Sequence, residues 1–257
     1  TPSSSSSSSS STLSSSAQKR KKANDSIVIM FSGIEMTVSD KIAISSIPNA
    51  SFVDNIAQSH LVTHLIVAST SSETIRRTAK LMATLASPTC ENVLGVEWLI
   101  SSAAVNRALP TDDFCVTSAS YAKVLKEAER SFQCRLATTL SIKRRTITRP
   151  LLSGFEVFFF SALPGNSYPT KNELNAIVTC GGGRVLERLK DCPPDAQVLI
   201  VTSDPEVDPT LVASQMSFVE QVAIENVTTR IANCSDFLQI ILTQEMGGRL
   251  VGQTLEK

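Results

Sequence analysis

One order of elements occurs twice in this chain, and no other feature constrains its fold as strongly. Ile27-Val28-Ile29-Met30-Phe31 is a continuous apolar run that stops at Ser32-Gly33, the pattern of a strand covered on both faces. A helix is expected over 38–46, a brief strand over 51–53 and a second buried strand at Leu65-Ile66-Val67. A Ser/Thr-rich turn whose hydroxyls can cap a helix then leads into 73–86, followed by a strand over 92–96 and helical spacing from Glu97. From Phe155 the order returns. Residues 155–160 read as a strand, 171–180 as a helix closed by Gly181-Gly182-Gly183, and 184–186 and 198–201 as strands. A helix over 210–225, a strand over 229–231 and a last helix over 236–244 complete the series. Strands alternating with short helices build parallel sheets with both faces covered. Two repeats of roughly 90 to 100 residues are therefore more economical than one domain. The expected class is α/β, with two small four-stranded parallel sheets flanked by helices and packed in tandem.

Between the repeats, Tyr121, Val124, Leu125, Ala128 and Phe132 recur at three and four residues, the spacing of an amphipathic linker helix. Its apolar stripe is expected to pack where the repeats meet, and Lys143-Arg144-Arg145 reads as solvated linker surface. Residues 1–17 are almost pure serine and cannot bury enough apolar area to offset the entropy of ordering. Lys19-Arg20-Lys21-Lys22 on that arm fits a nuclear import signal and a solubilising charge run about equally, with a nonspecific nucleic-acid contact as a further alternative. The expected organisation is a tail over 1–26, a first repeat over 27–117, a linker over 118–150 and a second repeat over 151–257.

Charge narrows the function. Equal counts of 24 basic and 24 acidic residues remove the global field of a general DNA or membrane binder, so an anion site must be local. Six cysteines without a CxxC pair suggest neither a zinc ribbon nor a disulfide framework, and fit reduced thiols. Apolar stretches fall short of the roughly 20 residues that span a membrane, and the N-terminus lacks a signal-peptide core, so a soluble, unsecreted chain is expected. Cys180-Gly181-Gly182-Gly183-Arg184 runs from helix to strand, the reverse of a nucleotide loop. His60 and His64 are four apart, but His64 leads into a strand, so the pair would not share a helix face. With no nucleophile motif, the sequence predicts no enzyme, no metal and no cofactor.

Ser32-Gly33 closing the first strand, Arg77-Thr78-x-Lys80 and Val96-Glu97-Trp98-Leu99 resemble a tandem BRCT module, most nearly the checkpoint-mediator branch of that family. Gly154-Phe155-Glu156-Val157, Cys180-Gly181-Gly182 and Ser235-Asp236-Phe237-Leu238 resemble the second repeat of that branch. The resemblance covers residues 27–250. It departs at Ile47-Pro48-Asn49-Ala50, where members often carry a Gly-Gly turn, and at Phe237, where most carry Trp.

The resemblance implies a nuclear phosphoserine-peptide-binding adaptor of the DNA damage response. Ser32, Gly33 and Lys80 would hold the phosphate through a hydroxyl, a backbone N–H and an ammonium. Arg77 would pair with the carboxylate of a peptide ending three residues after the phosphoserine, or else with an acid of the second repeat. Met82, Tyr168, Ser235 and Gln239 would form the pocket for that third residue, or ordinary packing. Along 73–86 the polar stripe is read as Glu73, Arg76, Arg77, Lys80 and Thr84, with Arg76 facing water and Ile75, Ala79, Met82 and Ala86 facing inward. The second repeat has Ser161-Ala162 without a glycine and no cation over 210–225, so no phosphate site is expected there. The implied partners are a phosphorylated protein tail, for instance of a histone variant, and repair or checkpoint proteins. The alternative is a phosphate-independent scaffold for repair or replication proteins or DNA ends.

Overall fold

The computed structural model describes residues 26–145, 150–160, 169–204, 206, 209–221, 228–246 and 249–250. The serine-rich arm with its basic cluster, Ser161-Ala162 and Tyr168 lie outside them. In the first half β1 (Ile27–Phe31), α1 (Val38–Ser46), β2 (Ala50–Phe52), a 3-10 turn (Ile56–Leu61) and β3 (His64–Ala68) precede α2 (Ala79–Ala86), β4 (Asn92–Gly95) and α3 (Val96–Ala104). The four strands form one parallel sheet in the order β2-β1-β3-β4. Two linker helices follow, α4 (Ala122–Phe132) and α5 (Leu136–Arg145). The second half contains β5 (Phe155–Phe159), α6 (Lys171–Cys180), β6 (Arg184–Leu186), β7 (Gln197–Thr202), α7 (Pro209–Gln221), β8 (Thr228–Asn233), α8 (Cys234–Thr243) and β9 (Arg249–Leu250). Its sheet runs β6-β5-β7-β8-β9, parallel but for the two-residue β9, which adds an antiparallel edge to the four expected strands.

Strand alternation sorts the apolar runs into three cores. From the first sheet Met30, Leu65, Val67 and Val93 point one way, into a core that also takes Phe155, Val157, Phe159, Leu199 and Val201 from the second. Ile29, Phe31, Ile66 and Leu94 point the other way, against Ile44, Trp98 and Leu99 of α1 and α3. Val198 and Ile200 form the outer core of the second sheet with Val219 of α7. The shared core is closed by α2 from the first repeat, α6 and α8 from the second, and Val124, Ala128, Phe132, Leu136 and Leu140 of the linker. The strands read as unbroken apolar runs because both faces of each sheet are covered.

The helix expected over 73–86 begins at Ala79. Thr78 has extended backbone angles and its hydroxyl accepts from the Leu81 N–H at 3.1 Å, which ends the helix toward its N-terminus. Residues 73–78 reach it as non-helical chain. Thr84, read as part of a polar stripe, is fully buried along with Leu81, Met82, Ala83, Leu85 and Ala86, since α2 lies between its own sheet and α6 and α8. Asn49 takes the left-handed conformation, φ 61°, in the turn Ile47-Pro48-Asn49-Ala50.

His64, the first residue of β3, stacks on Trp98 with ring centroids 4.7 Å apart, and its Nδ1 lies 2.8 Å from the Thr63 hydroxyl. Burial pushes its imidazole down from 6.5 to about 4. The unfolded chain therefore takes up this proton first, so the stability contributed by neutral His64 is complete above pH 6.5 and is lost as the pH falls toward 4. Between pH 7 and pH 5 the expected loss is about 2 kcal/mol. Urea unfolding at the two pH values should show it in the parent chain, and a much smaller loss in His64→Leu.

Candidate phosphate site at the end of the first strand

The Ser32 N–H donates to the Ile66 carbonyl at 2.9 Å, which carries the β1–β3 ladder one residue past β1 and fixes where the side chain points. Ser32 is buried, and its Oγ lies 2.5 Å from the Oγ1 of Thr78, the cap of α2. Gly33 follows at φ +78°, where a Cβ would stand 3.0 Å from the Cβ of Arg76. The conformation and the contact both require glycine, and they seat the approach to α2 directly on the end of β1.

Lys80 follows two residues after the cap. Four helices, α1, α3, α6 and α8, carry an acid in the first turn (Asp40, Glu97, Glu173 and Asp236), as the positive end of a helix dipole favours. The first turn of α2, like those of α4, α5 and α7, carries no acid, and it has Lys80 as α4 has Lys123. That arrangement is unfavourable to the helix alone and suits an anion. The Lys80 ammonium is ion-paired with Asp54, from the loop between β2 and the 3-10 turn.

The loop from β3 to Thr78 is held from below by Glu97. Its Oε1 accepts from the Thr70 N–H at 2.6 Å and the Thr70 hydroxyl at 2.8 Å, and its Oε2 accepts from the Tyr121 hydroxyl at 2.6 Å. Burial alone would raise the Glu97 carboxyl, but the hydrogen bonds from Thr70 and Tyr121 outweigh it and hold the group below its ordinary value. The Tyr121 hydroxyl is pushed up, by burial first and then by Glu97. Tyr121 reaches this position only because residue 95 is glycine: a Cβ there would lie 1.9 Å from the tyrosine oxygen.

The two arginines before Thr78 diverge. Arg76 packs on Gly33, whereas the charge of Arg77 reaches Cys234 at the start of α8. That thiol is pushed up to about 12, by burial first and then by Asp204, with Arg77 opposing. Asp204 accepts from the Ser235 N–H at 3.2 Å and from the Ser235 hydroxyl at 2.9 Å. Met82 is buried in the shared core, and the Gln239 amide donates to the Gln133 carbonyl at the end of α4. Ser32 and Gly33 thus meet the segment that leads to Lys80, while Ser235 binds Asp204, and Asp204 and Arg77 act in opposite senses on Cys234. Met82 and Gln239 serve packing and the linker. Thr78 and Asp54 were not anticipated as site residues. Thr78 read as a residue inside the helix expected over 73–86, and no sequence signal marks Asp54.

No protein-family model and no curated protein sequence matches this chain. Solved structures do share its fold. The BRCT5-BRCT6 domains of S. pombe Brc1 superpose with a TM-score of 0.58 at 18% identity, over 86% of this chain and 94% of theirs. The complex of yeast Rtt107p with a phosphorylated histone gives 0.53 at 12% identity, over 90% of this chain and 92% of the other. Residues 820-1070 of Rtt107p give 0.50 at 12% identity, over 87% and 89%.

Proposed function

We propose that this chain, a tandem BRCT module by its fold, is a nuclear adaptor of the DNA damage response that binds phosphoserine peptides. The observation that supports the proposal is the Ser32–Thr78 contact, which joins a buried hydroxyl, followed by a left-handed glycine, to the cap of the helix whose first turn carries Lys80. A phosphate dianion there would accept from the Ser32 hydroxyl, the Gly33 N–H and the Lys80 ammonium. The Rtt107p structure with a phosphorylated histone, a fold of the same kind, supports the reading. Under this reading Arg77 binds a peptide C-terminus, and Ser235 borders the pocket for the third residue after the phosphoserine. The ligand is a phosphorylated protein tail, of a histone variant or of a repair or checkpoint protein.

A phosphate-independent scaffold for repair or replication proteins is the second reading, and the Lys80–Asp54 pair favours it, since the lysine already has an anion. Titrating phosphorylated and unphosphorylated forms of one peptide separates the two. Strong preference for the phosphorylated form is expected, and equal affinity would refute the first reading.

A further inference from the structure

We infer that Asp54 is a built-in carboxylate competitor that holds down the affinity of this site for phosphoserine peptides, an inference that rests on the phosphate reading of Ser32, Gly33 and Lys80. Asp54 and Lys80 are 26 residues apart in sequence and meet only through the fold. Asp54 is 71% exposed, so the pair sits in high dielectric and opens readily. Neither residue needs the other to hold the local chain in place. The neighbouring 3-10 turn is capped by Asn55, whose Oδ1 accepts from the Ala57 N–H at 3.0 Å, and α2 is capped by Thr78.

Whatever approaches Lys80 must therefore replace a carboxylate or share the ammonium with one. A glutamate or aspartate side chain exchanges one carboxylate for another at Lys80 and gains almost nothing. A phosphoserine brings a charge of about −1.5 to −2 and three acceptor oxygens, so it takes the ammonium and also accepts from Ser32 and Gly33. Displacing Asp54 from Lys80 costs either ligand the same, so the competitor lowers both affinities by one factor. Its charge remains beside the bound ligand and repels a dianion more than a monoanion, so the phosphopeptide is tempered most.

The test uses one peptide with a free C-terminus three residues after the variable position, made with phosphoserine, serine or glutamate there. Each form is titrated against the parent chain, Asp54→Asn, Lys80→Met and the double variant. Asp54→Asn is expected to bind the phosphoserine form about three- to tenfold more tightly and the glutamate form more tightly by a smaller factor. In the Lys80→Met background, where no ion pair has to open, Asp54→Asn should tighten the phosphoserine form by a smaller factor than it does in the parent chain. If the parent chain prefers phosphoserine to serine but Asp54→Asn leaves or weakens that affinity, the competitor role is wrong while the phosphate site stands. If the parent chain binds the phosphoserine and serine forms equally, both are wrong. Because Asp54→Asn is isosteric and exposed, its melting temperature should match the parent's, so that affinity changes report the site.

Discussion

Gly95→Ala is expected to lower the unfolding free energy by about 3 kcal/mol or more, at the upper end of what overpacking costs. The added methyl would stand 1.9 Å from the Tyr121 oxygen, 2.2 Å from Cζ and 2.5 Å from Cε1, so the ring itself must move. The ring is not free to do so. Tyr121 is buried at the head of the linker, and its hydroxyl holds Glu97, which in turn holds the Thr70 turn that leads to Thr78. A displaced Tyr121 thus disturbs the linker entry, the first turn of α3 and the loop that leads to Thr78. Tyr121→Phe keeps the ring and loses only the hydroxyl, and should cost about 1 to 2 kcal/mol, since a half-buried carboxylate loses a donor. In Tyr121→Ala the clash has no target, so Gly95→Ala added to it should cost far less than in the parent chain, a coupling that a double-mutant cycle by urea unfolding measures. A cost below about 1 kcal/mol for Gly95→Ala alone would contradict the geometry.

The repeat order, the sheets and most element positions were legible because both faces of each strand are covered, which leaves unbroken apolar runs such as residues 27–31 and 198–201. Helices with one buried face, α1 and α6, have the bounds their caps and glycines suggest. Reasoning failed at α2 for a tertiary reason. A helix pressed between two repeats has no solvated stripe, so amphipathic spacing misassigned Thr84, and Thr78 looked like an interior residue when it is the cap. The linker helix α5 escaped notice because LATTLSIKRR is rich in Thr, Ser and charge. Packing decides it: Leu136 and Leu140 enter the shared core, and the Thr139 hydroxyl donates to the Leu242 carbonyl. Of the candidate site, Ser32, Gly33 and Lys80 were visible as a motif. Asp54 was not, since an acid in a loop 26 residues away acquires its partner only from the sheet order that brings the β2 end beside α2.

Removing the phosphate from a bound peptide is expected to weaken it more than any single substitution does, by roughly a hundredfold or more, because three donors lose their acceptor together. Lys80→Met removes one of the three. A hydrogen bond to a charged group contributes about 1.5 to 3 kcal/mol, which is about ten- to a hundredfold in affinity. The two losses should not add. Once Lys80 is gone, dephosphorylation has less to undo, so the ratio of phosphorylated to unphosphorylated affinity should fall by nearly the factor lost through Lys80→Met. Asp54 sharpens the expectation. In Lys80→Met its carboxylate has lost its ion-pair partner beside the phosphate, and the resulting repulsion adds to the loss. Asp54→Asn should therefore recover part of the phosphopeptide affinity of Lys80→Met, although it removes the residue that Lys80 contacts. A merely structural ion pair would behave in the opposite way: once one partner is gone, removing the other would change nothing. Titration of both peptide forms against the four chains at low salt, where exposed charges interact most strongly, distinguishes these outcomes.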